Sequence, residues 1–328
     1  LREAGFDVVV YDNLSRGFAR ALAPEAFAGV PLVQGDIGDR KMVCETVRRF
    51  GVQAVMHFAA IAQVAESVAY PVRYFQNNLV QGLDLVDTLL DADIDTFLFS
   101  STAAVYGEPQ TVPIPEDHPT RPTNPYGMSK LSFEYVLASL ARARGLRYAS
   151  LRYFNVAGAD PLGRAGERHD PETHLIPLVL RAAASGRPVE VFGTDYPTPD
   201  GTCIRDYIHV TDLVDAHILA LQALLNNTVQ SHLPGCPAGP GRQGHGLIYN
   251  LGSQKGYSVR EIITATERTV GHPIAVKQAG RRPGDPAVLV ASSDRIRQEL
   301  GWQPRFSLDD ILATAWAWHQ KLQRETEE

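Results

Sequence analysis

The sequence predicts an α/β fold, with a doubly wound parallel sheet followed by a second, smaller mixed α/β unit, and three observations carry that expectation. Short apolar runs alternate with helical patterns as far as Asn155, a rhythm that argues for βαβ units. Beyond Asn155 the rhythm loosens into long loops. The length, 328 residues, exceeds what a single hydrophobic core usually organises. The expected division is 1–155 for the first unit and mainly 156–328 for the second, with some segments returning to the first.

Taken in order, Val8 to Tyr11, Ala54 to Phe58, Phe97 to Ser100 and Tyr148 to Tyr153 are apolar runs of strand length. Between them, Lys41 to Phe50, Pro71 to Asp91 and Tyr126 to Arg144 carry helical spacing. Asn124 reads as the cap of the last of these, with Pro125 at its first helical position. Loops follow at Asp160 to Thr173 and Tyr196 to Thr202. The second unit is expected to hold helices at Leu175 to Ser185, Ser258 to Val270 and Leu308 to Lys321. Asn226 to Gly246 is dominated by Pro and Gly around Leu233 to Gly241, so it reads as a mobile surface loop that buries too little apolar area to offset its ordering.

Composition narrows the function classes. The chain is 44% hydrophobic and 21% charged with a formal net charge of −6, and it has no Lys/Arg run, which argues against nucleic acid. Its hydrophobic runs are too short to span a membrane. Cys44, Cys203 and Cys236 are widely spaced and odd in number, which suits reduced thiols in a cytoplasm and gives no zinc site. No metal is expected.

The most informative stretch is Thr123-Asn124-Pro125-Tyr126-Gly127-Met128-Ser129-Lys130. Tyr126 and Lys130 lie at i and i+4, on one helix face. A free tyrosine, with a pKa of about 10, needs nearby positive charge to act as a base at neutral pH, and Lys130 is placed to supply it. Lowering the pKa by roughly three units takes about 4 kcal/mol. Upstream, Thr96 to Thr102 reads as an apolar strand ending in three hydroxyl residues. Ligands in doubly wound sheets bind beyond the carboxyl ends of the strands, so Thr102, Tyr126 and Lys130 are expected to form one constellation.

Ser100-Ser101-Thr102, Tyr106-Gly107 and Asn124-Pro125-Tyr126 with Lys130 resemble the extended short-chain dehydrogenase/reductase family, which has a Rossmann-like fold. Within it the chain is similar to the UDP-glucose 4-epimerase family over essentially its whole length. Tyr11 to Leu14, Gly35-Asp36-Ile37, His57 to Ala60, Asn77-Asn78, Leu151 to Ala159 and Tyr196 to Val210 also match. The family begins with a buried strand and a glycine-rich phosphate loop. Here the sequence opens at Leu1-Arg2-Glu3-Ala4-Gly5, which reads as the end of a first helix, without an initiating Met. The expectation is a fragment or a mis-assigned start that lacks this loop and a central strand, binds the dinucleotide poorly and is less stable than its parent.

The resemblance implies NAD as cofactor, near Asp12, Asn13, Asp36, Ile37, Phe58, Ala59, Ala60, Asn77, Ser100, Tyr126, Lys130, Tyr153 and Phe154. A carboxylate at Asp12 would accept the ribose hydroxyls and repel the extra phosphate of NADP. Ala62 stands where the family usually carries Lys, with Gln63 a substitute. For a UDP-hexose the implied contacts are Thr102, Tyr126, Asn155, His174, Leu175, Phe192, Arg205, Arg282, Asp285 and Leu289, the arginines suiting a diphosphate. A homodimer through Pro71 to Asp91 and Tyr126 to Arg144 is also implied.

The implied chemistry is transient oxidation at C4 of the sugar, with Tyr126 as base, Thr102 on the reacting oxygen, and Lys130 holding the cofactor ribose and lowering the Tyr126 pKa. The expected outcome is interconversion of UDP-glucose and UDP-galactose. Ala103-Ala104 stand where related 4,6-dehydratases carry Asp-Glu. Elimination needs an acid and a base, so dehydration is disfavoured. The alternatives are a 4-epimerase of UDP-N-acetylhexosamine or UDP-uronic acid, since Leu289 is smaller than the Tyr of some relatives, and a non-catalytic NAD or sugar-nucleotide sensor.

Overall fold

A computed structural model describes residues 1–22, 27–233, 244–282 and 284–327. Alternation of buried strands with amphipathic helices dominates the first half. In order come β1 (Val10–Asp12), β2 (Leu32–Gln34), α1 (Arg40–Phe50), β3 (Val55–His57), α2 (Val64–Ala69), α3 (Pro71–Phe75), α4 (Gln81–Asp91), β4 (Thr96–Thr102), α5 (Pro125–Arg144) and β5 (Arg147–Tyr153). The second half adds β6 (Asn155–Ala157), α6 (Leu175–Ser185), β7 (Val189–Phe192), β8 (Ile204–His209), α7 (Val210–Asn226), β9 (His245–Leu251), β10 (Gly256–Ser258), α8 (Val259–Val270), β11 (Val276–Ala279), β12 (Val288–Leu289), α9 (Asp294–Leu300) and α10 (Leu308–Glu327).

The main sheet runs β3-β4-β5-β9, all parallel, and β1-β2 form a separate parallel pair. Register places the carboxyl ends of the strands together: Phe99 lies opposite His57, and Thr102 opposite Tyr153, itself opposite Leu251. On one face α1, α4 and α5 bury Val47, Val86, Leu89, Phe133 and Leu137 against Phe97, Phe99 and Tyr148. On the other, Ala216, Ala220 and Leu224 of α7 pack on Leu98, Leu151 and Tyr249. Both faces are therefore covered, which is why β4 and β5 read as near-continuous apolar runs. Downstream, β8 sits between β10 and β12 and also pairs β6, while α6, α8 and α10 bury Ile176, Ile262 and Ile311 together.

Several expectations need correction. Pro71 to Asp91 is not one regular helix: α3 passes through a π turn at Gln76–Val80 before α4, and α2 precedes it. The π turn buries Asn78, whose amide hydrogen-bonds both backbone groups of Ile61 at 2.9 Å, and a polar demand of that kind is invisible to apolar periodicity. The expected loop from Asn226 to Gly246 is bounded by regular structure at each end, since Asn226 closes α7 and His245-Gly246 open β9. His232 bonds Glu299 and Leu233 packs on the core; residues 234–243, including Cys236, lie outside the described residues. Cys44 and Cys203 are free thiols. Strand β8 lacked a clear alternation because its last four residues are buried on both faces.

Candidate active site

The site is built from the start of α5. Asn124 Oδ1 accepts the Gly127 N–H at 2.9 Å and Pro125 occupies the first turn, so the helix begins where the sequence places it. Gly127 is there because the helix start meets the turn after β4: a Cβ on it would lie 2.5 Å from the Ala104 carbonyl oxygen. That close approach brings Tyr126 to Thr102, the last residue of β4. The Thr102 hydroxyl lies close enough to the Tyr126 phenol to oppose the rise in its pKa, and it accepts the Ala104 N–H at 3.1 Å. One turn on, Lys130 is 2% exposed and its Nζ donates to the Ser100 carbonyl at 2.8 Å. Tyr153, at the end of β5, hydrogen-bonds His217, and Ser100 lies close enough to temper the rise of its phenol.

Burial pushes the Tyr126 phenol up, opposed by Thr102, and pushes Lys130 down to about 7, against the pull of Glu134. The Lys130 Nζ stands 4.8 Å above the Phe99 ring and 6.0 Å from the centre of the Tyr126 ring, and its hydrogen bond goes to Ser100. In a poorly hydrated crevice each charged form is costly, so both groups move toward neutrality.

Beneath the site a buried ion pair holds the elements together. Arg152 Nη2 lies 2.6 Å from Glu134 Oε2, with both side chains at most 5% exposed. Ser101 donates to Glu134 at 2.5 Å, Arg152 reaches the Tyr106 hydroxyl at 2.8 Å, and Tyr106 donates to Asn250 at 2.7 Å. This network joins β4, α5, β5 and β9. Tyr126, Lys130 and Glu134 follow at four-residue steps on one helix face.

On the expected cofactor side, Asp12 ends β1 and accepts the Leu14 N–H at 2.6 Å. Asn13 donates to Asp36 at 3.0 Å, joining the loops after β1 and β2. Phe58 follows β3 and is 56% exposed, with its ring 5.2 Å from that of His217, and Ala59 is exposed beside it. Asn77 bonds Gln81, while the Ile37 and Phe154 side chains pack into the core. These residues fit a nicotinamide dinucleotide: among the described residues the buried Lys130 ammonium spends one donor, on Ser100, which leaves two for hydroxyls of a ligand.

On the expected sugar-nucleotide side, Arg282 stacks on Phe192 at 3.9 Å, and Arg205 reaches Asp285 at 3.5 Å. Leu289 lies opposite Arg205 in β12 and packs on the cluster that holds Ala103, Phe154 and Leu131. Asn155 starts β6 opposite Tyr207, and Leu175 opens α6. His174 goes elsewhere: its Nδ1 lies 2.5 Å from Glu167, in a cluster with His169 and Glu172.

Sequence reasoning missed His217, Tyr74, whose ring meets Tyr126 edge-on at 6.5 Å, and the Glu134–Arg152 pair. It also missed the role of Asp206, whose carboxylate accepts from Ser253, Gln254 and Ala291. Glu134 was within reach of the four-residue step from Lys130; the others are separated too far along the chain for spacing to reveal them.

Residues 1–232 match the model of the NAD dependent epimerase/dehydratase family, and the chain belongs to that family. Its relatives there include UDP-glucose 4-epimerases: the Azospirillum brasilense protein is 48% identical over 99% of this chain and 88% of its own length. The Corynebacterium glutamicum protein is 46% identical, over 98% of this chain and 91% of its own. The solved UDP-glucose 4-epimerase of Brucella ovis, in complex with NAD, superposes with a TM-score of 0.86 at 42% identity, covering 96% of this chain and 91% of that one.

Proposed function

We infer that this chain is an isomerase that interconverts UDP-glucose and UDP-galactose with NAD. The observation that carries the reading is the meeting of Thr102, Tyr126 and Lys130 at the carboxyl ends of β4 and β5, on a chain 48% identical to a UDP-glucose 4-epimerase. With relatives of that name at 42–48% identity, a specificity for N-acetylhexosamine or uronic acid is not favoured.

NAD, when bound, would supply the hydride-accepting and hydride-returning chemistry at C4 of the sugar, with Asp12, Lys130 and Tyr153 among the residues that would hold it. Tyr126 is the group that removes the proton from the 4-hydroxyl and restores it. Thr102 orients the phenol and the reacting oxygen through its hydroxyl. Lys130, held by Ser100, offers its free donors to ribose hydroxyls. Burial raises the Tyr126 pKa and Thr102 opposes it, so positive charge that enters with the ligand favours the phenolate. Asp12, Asn13, Asp36, Phe58, Ala59, Ala60, Asn77 and Tyr153 are assigned to the cofactor. Asn155, Leu175, Phe192, Arg205, Arg282, Asp285 and Leu289 are assigned to the sugar nucleotide, Arg282 and Arg205 taking the diphosphate through their planar forks.

No helix among the described residues is long and apolar enough to cross a membrane. We place the enzyme in the cytoplasm as a homodimer, its partner covering the exposed Tyr70, Val72, Val80, Met128 and Tyr135 on the α3 to α5 surface. The deciding experiment is conversion of UDP-galactose to UDP-glucose by the chain and by Tyr126→Phe. The variant should lose roughly 10²–10⁴-fold in turnover while still binding the sugar nucleotide. A near-normal rate removes Tyr126 from the mechanism, and no turnover by the unsubstituted chain at saturating NAD favours a sensor.

A further inference from the structure

The loop that leads into α6 carries Glu167, His169, Glu172 and His174 within eight residues, and one potential ligand atom from each lies within 4.8 Å of all the others. We propose that these four side chains bind one divalent first-row transition-metal ion, with Zn²⁺ the best match to their donors. Nothing in the epimerase chemistry requires it.

Three observations support a coordination site over two simple ion pairs. First, the His–Glu separations are close to those of ligands around one ion. With metal–ligand distances of roughly 2.0–2.2 Å, neighbouring ligand atoms sit about 3.3–3.5 Å apart. The His169 Nδ1 atom stands 3.2 Å from Glu167 Oε1 and 3.6 Å from Glu172 Oε2, and His174 Nδ1 stands 3.5 Å from Glu172 Oε1. A fourth separation, His174 Nδ1 to Glu167 Oε1, is 2.5 Å and has to open by under ~1 Å to match. Two of these separations are too long for hydrogen bonds.

Second, both imidazoles turn the same nitrogen to the same carboxylates, and their rings meet edge-on with centroids 5.0 Å apart. A single dication between the rings would be shared by both imidazoles and both carboxylates. Third, the ligands are anchored. The Glu172 side chain is 2% exposed and its Oε1 also accepts the Thr173 and His174 N–H groups at 2.8 and 2.9 Å. The Glu167 carbonyl accepts the Trp318 indole N–H at 3.0 Å.

Imidazole nitrogen with carboxylate oxygen suits Zn²⁺ and its neighbours better than Mg²⁺ or Ca²⁺, which prefer all-oxygen shells. A cavity of about 390 Å³ adjoins the cluster, lined by Glu167, His169, Glu172, Trp318 and His319. The ion would hold residues 167–174 together at the start of α6, whose cap residue is His174.

The test is isothermal titration of the EDTA-treated protein with ZnCl₂ at pH 7.5, and with MgCl₂ as control. The expected result is one Zn²⁺ per chain, no Mg²⁺ signal, a higher Tm with zinc, and affinity that falls steeply below pH 6 as the histidines take up protons. His169→Ala/His174→Ala should weaken binding by at least 100-fold. Absence of binding, or unchanged stoichiometry and affinity in this variant, overturns the proposal. Should the double variant misfold by circular dichroism, X-ray absorption of the zinc-loaded parent decides: a shell of two imidazole nitrogens and carboxylate oxygens supports the site, and sulfur in the shell overturns it.

Discussion

Lys130 Nζ donates to the backbone carbonyl of Ser100 at 2.8 Å, so the cation of the site is tethered to the strand end rather than to the phenol one turn before it. This separates two roles: Lys130 is positioned as a donor to a ligand, and the tyrosine's tuning falls to Thr102 and to whatever charge the ligand brings.

The tether has a pH signature. Lys130 titrates at about 7 in the folded chain, below the ordinary 10.5, because burial disfavours its charge. The cost of burying the charge is therefore fully present below pH 7 and fades as the pH rises from 7 to 10.5. Lys130→Met should be more stable than the parent at pH 6, on the order of 1–4 kcal/mol, with the gap closing by pH 10. Melting curves across this range check it, and a variant less stable at pH 6 refutes it. Turnover should fall in the same variant.

Thr102 is the group that lowers the Tyr126 pKa. In Thr102→Val the limb of the kcat/KM profile that reports the phenol should move to higher pH, with kcat down roughly 10–100-fold at pH 7. An unmoved limb would show that the hydroxyl serves only the Ala104 N–H.

Glu134 and Arg152 form the most buried ion pair of the site. Removing one partner strands the other, so Glu134→Met or Arg152→Met alone should cost about 3–5 kcal/mol, whereas the double Met variant should recover much of that loss. Denaturant titration of the three variants measures the coupling. Additive losses would mean that the pair is not energetically joined.

Val72 is 79% exposed on α3, and Tyr135 lies exposed on α5. If a second copy covers this face, Val72→Glu/Tyr135→Glu should halve the mass measured by light scattering at micromolar concentration while leaving each chain folded. A parent that is already monomeric, or a variant that stays dimeric, places the interface elsewhere.

Much of this was legible in the sequence because it is local. Asn124, Pro125 and the four-residue step from Tyr126 to Lys130 determine a capped helix with one chemical face, and the apolar run from Thr96 determines a buried strand ending in hydroxyls. Local spacing also carried the family resemblance. It did not determine which way Lys130 leans, that Asn78 would sit in a π turn, or that Glu134 would meet Arg152. Those depend on desolvation and on partners 18 to 144 residues away, as Arg152 to Glu134 and Tyr106 to Asn250 illustrate. Chain spacing predicts which side chains share a face; only packing decides how much water they keep, and the remaining water sets whether a buried phenol and a buried amine carry charge.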